Sequence, residues 1–117
     1  MRQSGIIACF GIYSLDHMIN QLKADHDNAQ LIANALCKSD YIIIDPKKVK
    51  TNLIYFKLSN LSIDKDQFIK NCKKLGVLFY YIGNDKYRLV THYGIDKEDA
   101  QNAVDIICKV LNLLEEK

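Results

Sequence analysis

The sequence predicts an α+β fold, with helices packed on one side of a small, mostly antiparallel sheet. Three observations predict it. Apolar residues recur at steps of three and four near the start of the chain, around residue 68 and through the last segment, as on helix faces. Between these stretches lie four short runs rich in β-branched and aromatic residues. Two of those runs flank "GND", which is hairpin chemistry and makes their pairing antiparallel. The order read along the chain is α-α-β-β-α-β-β-α.

Residues 3 to about 15, "QSGIIACFGIYSL", are apolar on nearly every side, and a helix of that kind is normally covered on more than one side. Ile19, Leu22, His26, Ala29, Ala33 and Leu36 then share one helix face, with Asp16 expected to cap its start. "YIII" at 41–44 reads as a strand that ends at Asp45-Pro46. "TNLIYFKL" at 51–58 alternates around a β-branched and aromatic centre and reads as the second strand. "SNLS" turns the chain. Asp64 is expected to cap a helix that turns Phe68, Ile69, Cys72 and Leu75 inward and stops at Gly76. "VLFYYI" and "KYRLVTH" are the hairpin strands. Asp96 opens the last helix, with Ala100, Ala103, Val104, Ile107, Val110, Leu111 and Leu114 on one stripe.

A chain of 117 residues suits one domain, divided into a helical lead-in over 1–38 and an α+β unit over 41–117. A net charge of +2 argues against nucleic-acid and membrane partners. The basic runs "PKKVK" and "KNCKK" read as solvated faces. Cys9, Cys37, Cys72 and Cys108 form no C-x-x-C pair and have no His at zinc-finger spacing, which argues against a metal site. All four fall in segments that read as helix. They are expected to be buried, reduced thiols, which places the chain in a reducing, cytoplasmic compartment. The N-terminus carries no signal-peptide pattern, and no apolar run approaches 18 residues.

Of sixteen basic residues only Arg2 and Arg88 are arginines; the other fourteen are lysines. The guanidinium fork grips carboxylate or phosphate through two bonds, which a lysine cannot do. Period 2 sets Arg88, Val90 and His92 on one strand face and Tyr87, Leu89 and Thr91 on the other. If Leu89 points into the helix-covered core, Arg88 points away from it, either toward a cleft or simply to solvent on an open sheet face. His17, His26 and His92 are not spaced as a metal set, and His26 reads as a packing residue on its helix stripe. No G-x-S-x-G, P-loop, G-x-G-x-x-G or H-E-x-x-H is present.

Five segments in register resemble one family. "MRQSGIIACFGIYSLDHM", "LKADHDNAQLIANAL", "VKTNLIYFKL", "KKLGVLFYYIG" and "YRLVTHYGIDKEDAQNAVDII" are similar to the C-terminal region of low-specificity L-threonine aldolases, in the β-eliminating lyase group. The resemblance covers essentially the whole chain, and "MRQ-G" and "RLVTH" are its most specific pieces. It implies the small C-terminal domain of a fold-type-I enzyme that uses pyridoxal phosphate (PLP) to cleave threonine and allo-threonine to glycine and acetaldehyde. It implies that Arg88 binds the substrate α-carboxylate and that Arg2 lies by the cofactor phosphate. A bidentate grip on the carboxylate would help fix the bond to be broken against the cofactor ring. No catalytic residue is assigned to this chain.

The family's Schiff-base lysine lies upstream of "MRQ". The residues that pair with the pyridine nitrogen and stack on the ring are likewise not among these 117, so the chain by itself is expected to be inactive and to bind no PLP. It reads as a fragment or truncated copy whose implied partners are a PLP-binding large domain and a second copy of itself, docked through the first helix. Two alternatives stand beside this reading: a non-catalytic interaction module that reuses the fold, and a fragment of another fold-type-I PLP lyase.

Overall fold

The computed structural model describes residues 2–60 and 62–115. Four α-helices and four strands follow the predicted order among these residues: α1 (Ser4–His17), α2 (Ile19–Leu36), β1 (Ile42–Ile43), β2 (Leu53–Leu58), α3 (Lys65–Lys74), β3 (Tyr80–Tyr81), β4 (Lys86–Val90) and α4 (Lys97–Glu115). A 3-10 turn at Pro46–Lys48 links β1 to β2. The strands lie in the order β1-β2-β4-β3, and every neighbouring pair is antiparallel. The turn read from "SNLS" includes Leu61, which lies outside the described residues.

Period 2 divides the sheet into two unlike faces. Ile54, Phe56 and Leu58 of β2 and Tyr87 and Leu89 of β4 are buried. They meet the inward residues of the helices: Ala29, Ile32, Ala33 and Leu36 from α2, Phe68 and Cys72 from α3, and Ala100, Val104, Ile107, Val110 and Leu111 from α4. At the centre Phe68 packs on Phe79 and Tyr87 with ring centroids 5.1 and 5.5 Å apart, and Phe56 stacks on Tyr87 at 5.3 Å. Each such ring removes a large apolar area from water and gains from edge-to-face geometry. Among the described residues the opposite face carries no helix.

The helix ends follow the capping chemistry expected of them. Asp64 Oδ1 accepts from the Asp66 and Gln67 amides at 2.8 and 3.3 Å. Gly76 adopts φ +96° just past α3, a conformation that costs glycine little. Asp96 and Asp99 cap each other reciprocally, each side chain accepting from the other's amide. The "GND" turn puts Gly83, Asn84 and Asp85 in the left-handed region, and the Ile82 amide closes it on the Lys86 carbonyl at 2.9 Å.

Several expectations are corrected. Asp16 does not cap α2: α1 runs on through His17, and the break falls at Met18, whose side chain makes no cap. The α2 stripe is turned from the one expected. Ile19, Leu22 and His26 are exposed, and Asp25 and Asn28 are buried in their place. The first turns of α2 overhang the sheet, and burial starts where the helix is tied to the end of β4. There Thr91 Oγ1 donates to the Asp25 carbonyl at 2.6 Å, and Asn28 Nδ2 donates to the Ile95 carbonyl at 2.9 Å. Leu75 is exposed rather than inward. The strand read over 77–82 pairs only at Tyr80 and Tyr81, and that read over 41–44 only at Ile42 and Ile43. Cys72 is buried and Cys108 half-buried as expected of packing thiols, but Cys9 and Cys37 are exposed; all four are free.

α1 stands apart from this core. None of its residues is buried, and its packing is with α2. The radius of gyration is 16.8 Å, against roughly 13–14 Å for a compact chain of this length. The largest extent, 56 Å, is at least twice either of the others, 28 and 24 Å. No helix among the described residues is long and apolar enough to cross a membrane.

Candidate anion-binding site on the open sheet face

Arg88 occupies the middle of β4, with a strand on each side. Its register partners are Tyr55 on β2 and Tyr80 on β3, so the three side chains form one row across the uncovered face. Leu89, the next residue, is buried beneath the helices, and Arg88 faces away from them as the alternation requires. The guanidinium carbon lies 5.8 Å from the centre of the Tyr80 ring. That distance places the positive fork over an aromatic face, within cation–π range. Arg88 Nε is buried and has no hydrogen-bond partner. No ion pair joins Arg88 to an acid among the described residues. A positive fork with an orphaned donor, set among tyrosines, is suited to a planar anion such as a carboxylate.

The surroundings of Arg88 are apolar. Ile43, Leu53, Tyr55, Tyr80 and Ile82 are all exposed, and Tyr80 is 67% exposed. Lys57 and Lys86 stand opposite each other in the neighbouring row. Beside them a hollow of about 470 Å³ runs from this face to the segment after β1. A second hollow of about 570 Å³ lies near the far end of β4, lined in part by Thr91, His92 and Asp99. His92 is exposed there beyond the strand end, and its Nδ1 lies 2.8 Å from the Tyr93 carbonyl.

The two arginines are not brought together. Arg2 is exposed ahead of α1, and no hydrogen bond or ion pair ties it to the sheet among the described residues. The lysines do not fit a PLP site either. Every described lysine is exposed except Lys57, which is half-buried, whereas a Schiff-base amine needs an enclosed position that suppresses its charge. No group of three or more His, Cys, Asp or Glu suited to a metal ion occurs among the described residues.

Sequence reading found Arg88 and its face but not its neighbours. Tyr55 and Tyr80 flank it only because of the strand register, which no local pattern discloses. Thr91 was placed on the inner face, but its bond to α2 was not foreseen. It is 1% exposed, and besides that bond its amide donates to the Asn52 carbonyl while Asn52 Nδ2 donates back to the Thr91 carbonyl. These bonds fix the end of the strand two residues beyond Arg88's neighbour Leu89.

Known proteins are similar to this chain in sequence. The sequence profile of the family "Beta-eliminating lyase" matches residues 1–59. Low-specificity L-threonine aldolase 1 of Arabidopsis thaliana is 24% identical over 99% of this chain and 33% of its own length. The low specificity L-threonine aldolase of Escherichia coli K12 is 30% identical over 84% of this chain and 27% of its own length. The Candida albicans low-specificity L-threonine aldolase is 23% identical over 95% of this chain and 28% of its own. The chain thus spans about a quarter to a third of the length of the curated relatives it matches. With half of its residues matched by the family profile and an antiparallel α+β unit behind them, the chain belongs to the beta-eliminating lyase family.

Proposed function

We propose that this chain is the small C-terminal domain of a PLP-dependent threonine aldolase, and that it contributes substrate recognition rather than bond-breaking chemistry. The observation that carries the reading is Arg88: a fork on an uncovered sheet face, with a buried Nε that has no partner. In this role Arg88 binds the α-carboxylate of threonine, and Tyr80 and Tyr55 hold the guanidinium in orientation. Arg2 is assigned to the cofactor phosphate by its position in the "MRQ" segment alone. PLP, when bound by the full-length family, supplies the electron sink. The amine and the acid that hold it belong to the large domain.

The carboxylate grip can be tested on the chain alone. One exposed charge-assisted pair is worth about 1.5–3 kcal/mol, a Kd on the order of 10–100 mM. Titration of isotope-labelled protein with L-threonine should shift the amides of Tyr55, Tyr80 and Arg88, and Arg88→Ala should remove the response. Equal shifts in the variant would refute the assignment. Mixed with PLP and threonine, the chain should release no glycine; turnover with PLP retained through dialysis would overturn the proposed division of labour.

The same reading puts a second copy of this chain against α1. Ile6, Ile7, Phe10, Ile12, Tyr13 and Leu15 are each more than half exposed. At roughly 100 Å² apiece they present about 600 Å² of apolar surface per chain. Only one side of the helix can meet a two-fold partner, so two copies would bury about 600 Å², an interface small enough to dissociate on dilution. Ile6, Phe10 and Tyr13 share one side of the helix and form the seam. Sedimentation across a concentration series should show a dimer that Phe10→Asp dissociates. A monomer at all concentrations would refute this partner.

A further inference from the structure

We infer that the open sheet face carries a second anion site beside Arg88, built by Lys57 and Lys86 and suited to a phosphate monoester with an apolar body. The starting observation is an unfavourable one. Lys57 and Lys86 are directly opposite in the β2–β4 ladder, and both point to the uncovered face. Like charges in that position repel, at a spacing of about 4.5–5.5 Å between Cβ atoms. Neither lysine has an acidic partner among the described residues. Arg88 lies two residues along the same strand on the same face and adds a third unpaired cation.

The acid in this region is already engaged. Asp45 lies 3.9 Å from Lys48 Nζ and accepts from the Lys47 amide at 3.0 Å, capping the 3-10 turn. Asp45 and Lys48 also line the 470 Å³ hollow and offset each other, so Lys57 and Lys86 give its wall a net positive charge. The rest of the wall includes Ile43, Leu53, Tyr55 and Ile82, which supply an apolar floor. The volume is within the ordinary range for small-ligand sites.

The donor chemistry selects the ligand class. Two lysines at opposed positions are within reach of one anion between them and bring up to six donors. A carboxylate offers two oxygens and one charge. A phosphate monoester offers three terminal oxygens and close to two charges at neutral pH, since its second pKa is about 6. Lysine binds phosphate as a point charge, without the planar match that Arg88 offers a carboxylate. The apolar floor takes an aromatic or aliphatic body attached through the ester oxygen. The site does not depend on the carboxylate role proposed for Arg88.

The test is a titration of the isotope-labelled 117-residue chain with phenyl phosphate at fixed ionic strength. Amides of Lys57, Ile82 and Lys86 should shift saturably with a Kd on the order of 0.1–5 mM, the strength of two exposed charge-assisted contacts. Binding should weaken at least about threefold at pH 5, where the ligand has regained its second proton. Phenyl sulfate, a monoanion of the same shape, should bind at least about threefold more weakly at pH 7. Lys57→Gln with Lys86→Gln should weaken phenyl phosphate at least tenfold, whereas Lys109→Gln, exposed on α4 away from the hollow, should change it less than threefold. Should the double variant not fold, the single variants carry the same comparison at about threefold each. Absence of saturable shifts, equal affinity for the sulfate, or binding unchanged by the lysine substitutions would each overturn the site.

Discussion

Arg88 and Leu89 are adjacent on β4 and face opposite ways, so the pair tests the two-faced sheet directly. Leu89→Ala removes a side chain that is 6% exposed and packs beneath the helices. Three carbons leave the core, at about 0.8 kcal/mol for each buried methylene, and a residual cavity adds to the loss. The expected cost is about 2.5–4 kcal/mol. Arg88→Ala gives up the contact with Tyr80, worth about 0.5–1 kcal/mol where solvent reaches it. It also removes a buried Nε that had no partner, which returns a comparable amount. The net change should fall within about 0.5 kcal/mol of zero.

Urea denaturation followed by circular dichroism reads both values. With a slope of about 1.5–2 kcal/mol/M, Leu89→Ala should lower the midpoint by about 1.5–2 M and Arg88→Ala by less than about 0.3 M. Equal losses would mean that Arg88 is held in the core, and the assignment of the two faces would fail. A small loss for Leu89→Ala would mean that α2 and α4 do not close over β4.

The remaining expectations are simpler to state. Asp64→Ala should cost about 1 kcal/mol in the same denaturation assay, because two amides at the start of α3 lose their acceptor. Thiol labelling of dilute protein should modify Cys9 and Cys37 first, Cys108 more slowly, and Cys72 only at the rate of unfolding. Burial raises the Cys72 thiol from 9.0 to about 12, and burial, with Tyr81, Asp85 and Asp66 nearby, raises Tyr87 from 10.0 to about 12. Below pH 9 both groups are neutral in either state and stability is full. From pH 9 to 12 the unfolded chain ionises first and stability falls, so Cys72→Ala should flatten the alkaline loss in melts recorded from pH 7 to 11.

What the sequence disclosed was periodic and local. The inward stripe of α4, the caps at Asp64 and Asp96, the "GND" turn and the two faces of β4 all follow from spacing and turn chemistry within one element. What it concealed depends on how elements meet. Asp25 and Asn28 look like surface residues of α2 because they are polar. They are buried because the end of β4 and the start of α4 supply Thr91 and the Ile95 carbonyl as partners. Ile19 and Leu22 look like core because they are apolar, yet the helix begins beyond the sheet it later covers. The opposition of Lys57 and Lys86 needs the β2–β4 register, and so does the tyrosine row around Arg88. Neither follows from composition or periodicity.

The uncovered face also sets how strongly Arg88 can act. The helix-covered side closes on itself, so nothing on the open side is needed for folding. Two unit charges 4 Å apart attract by about 1 kcal/mol in water and about 4 kcal/mol at the effective dielectric near a protein surface. An anion on Arg88 in this chain sits toward the first limit. A covering domain that excludes water would move it toward the second, a gain of about 3 kcal/mol from the same contact. That difference is roughly a hundredfold in affinity. A residue with the anion-gripping role proposed for Arg88 can therefore reside on one folding unit while its binding energy depends on another that closes over it.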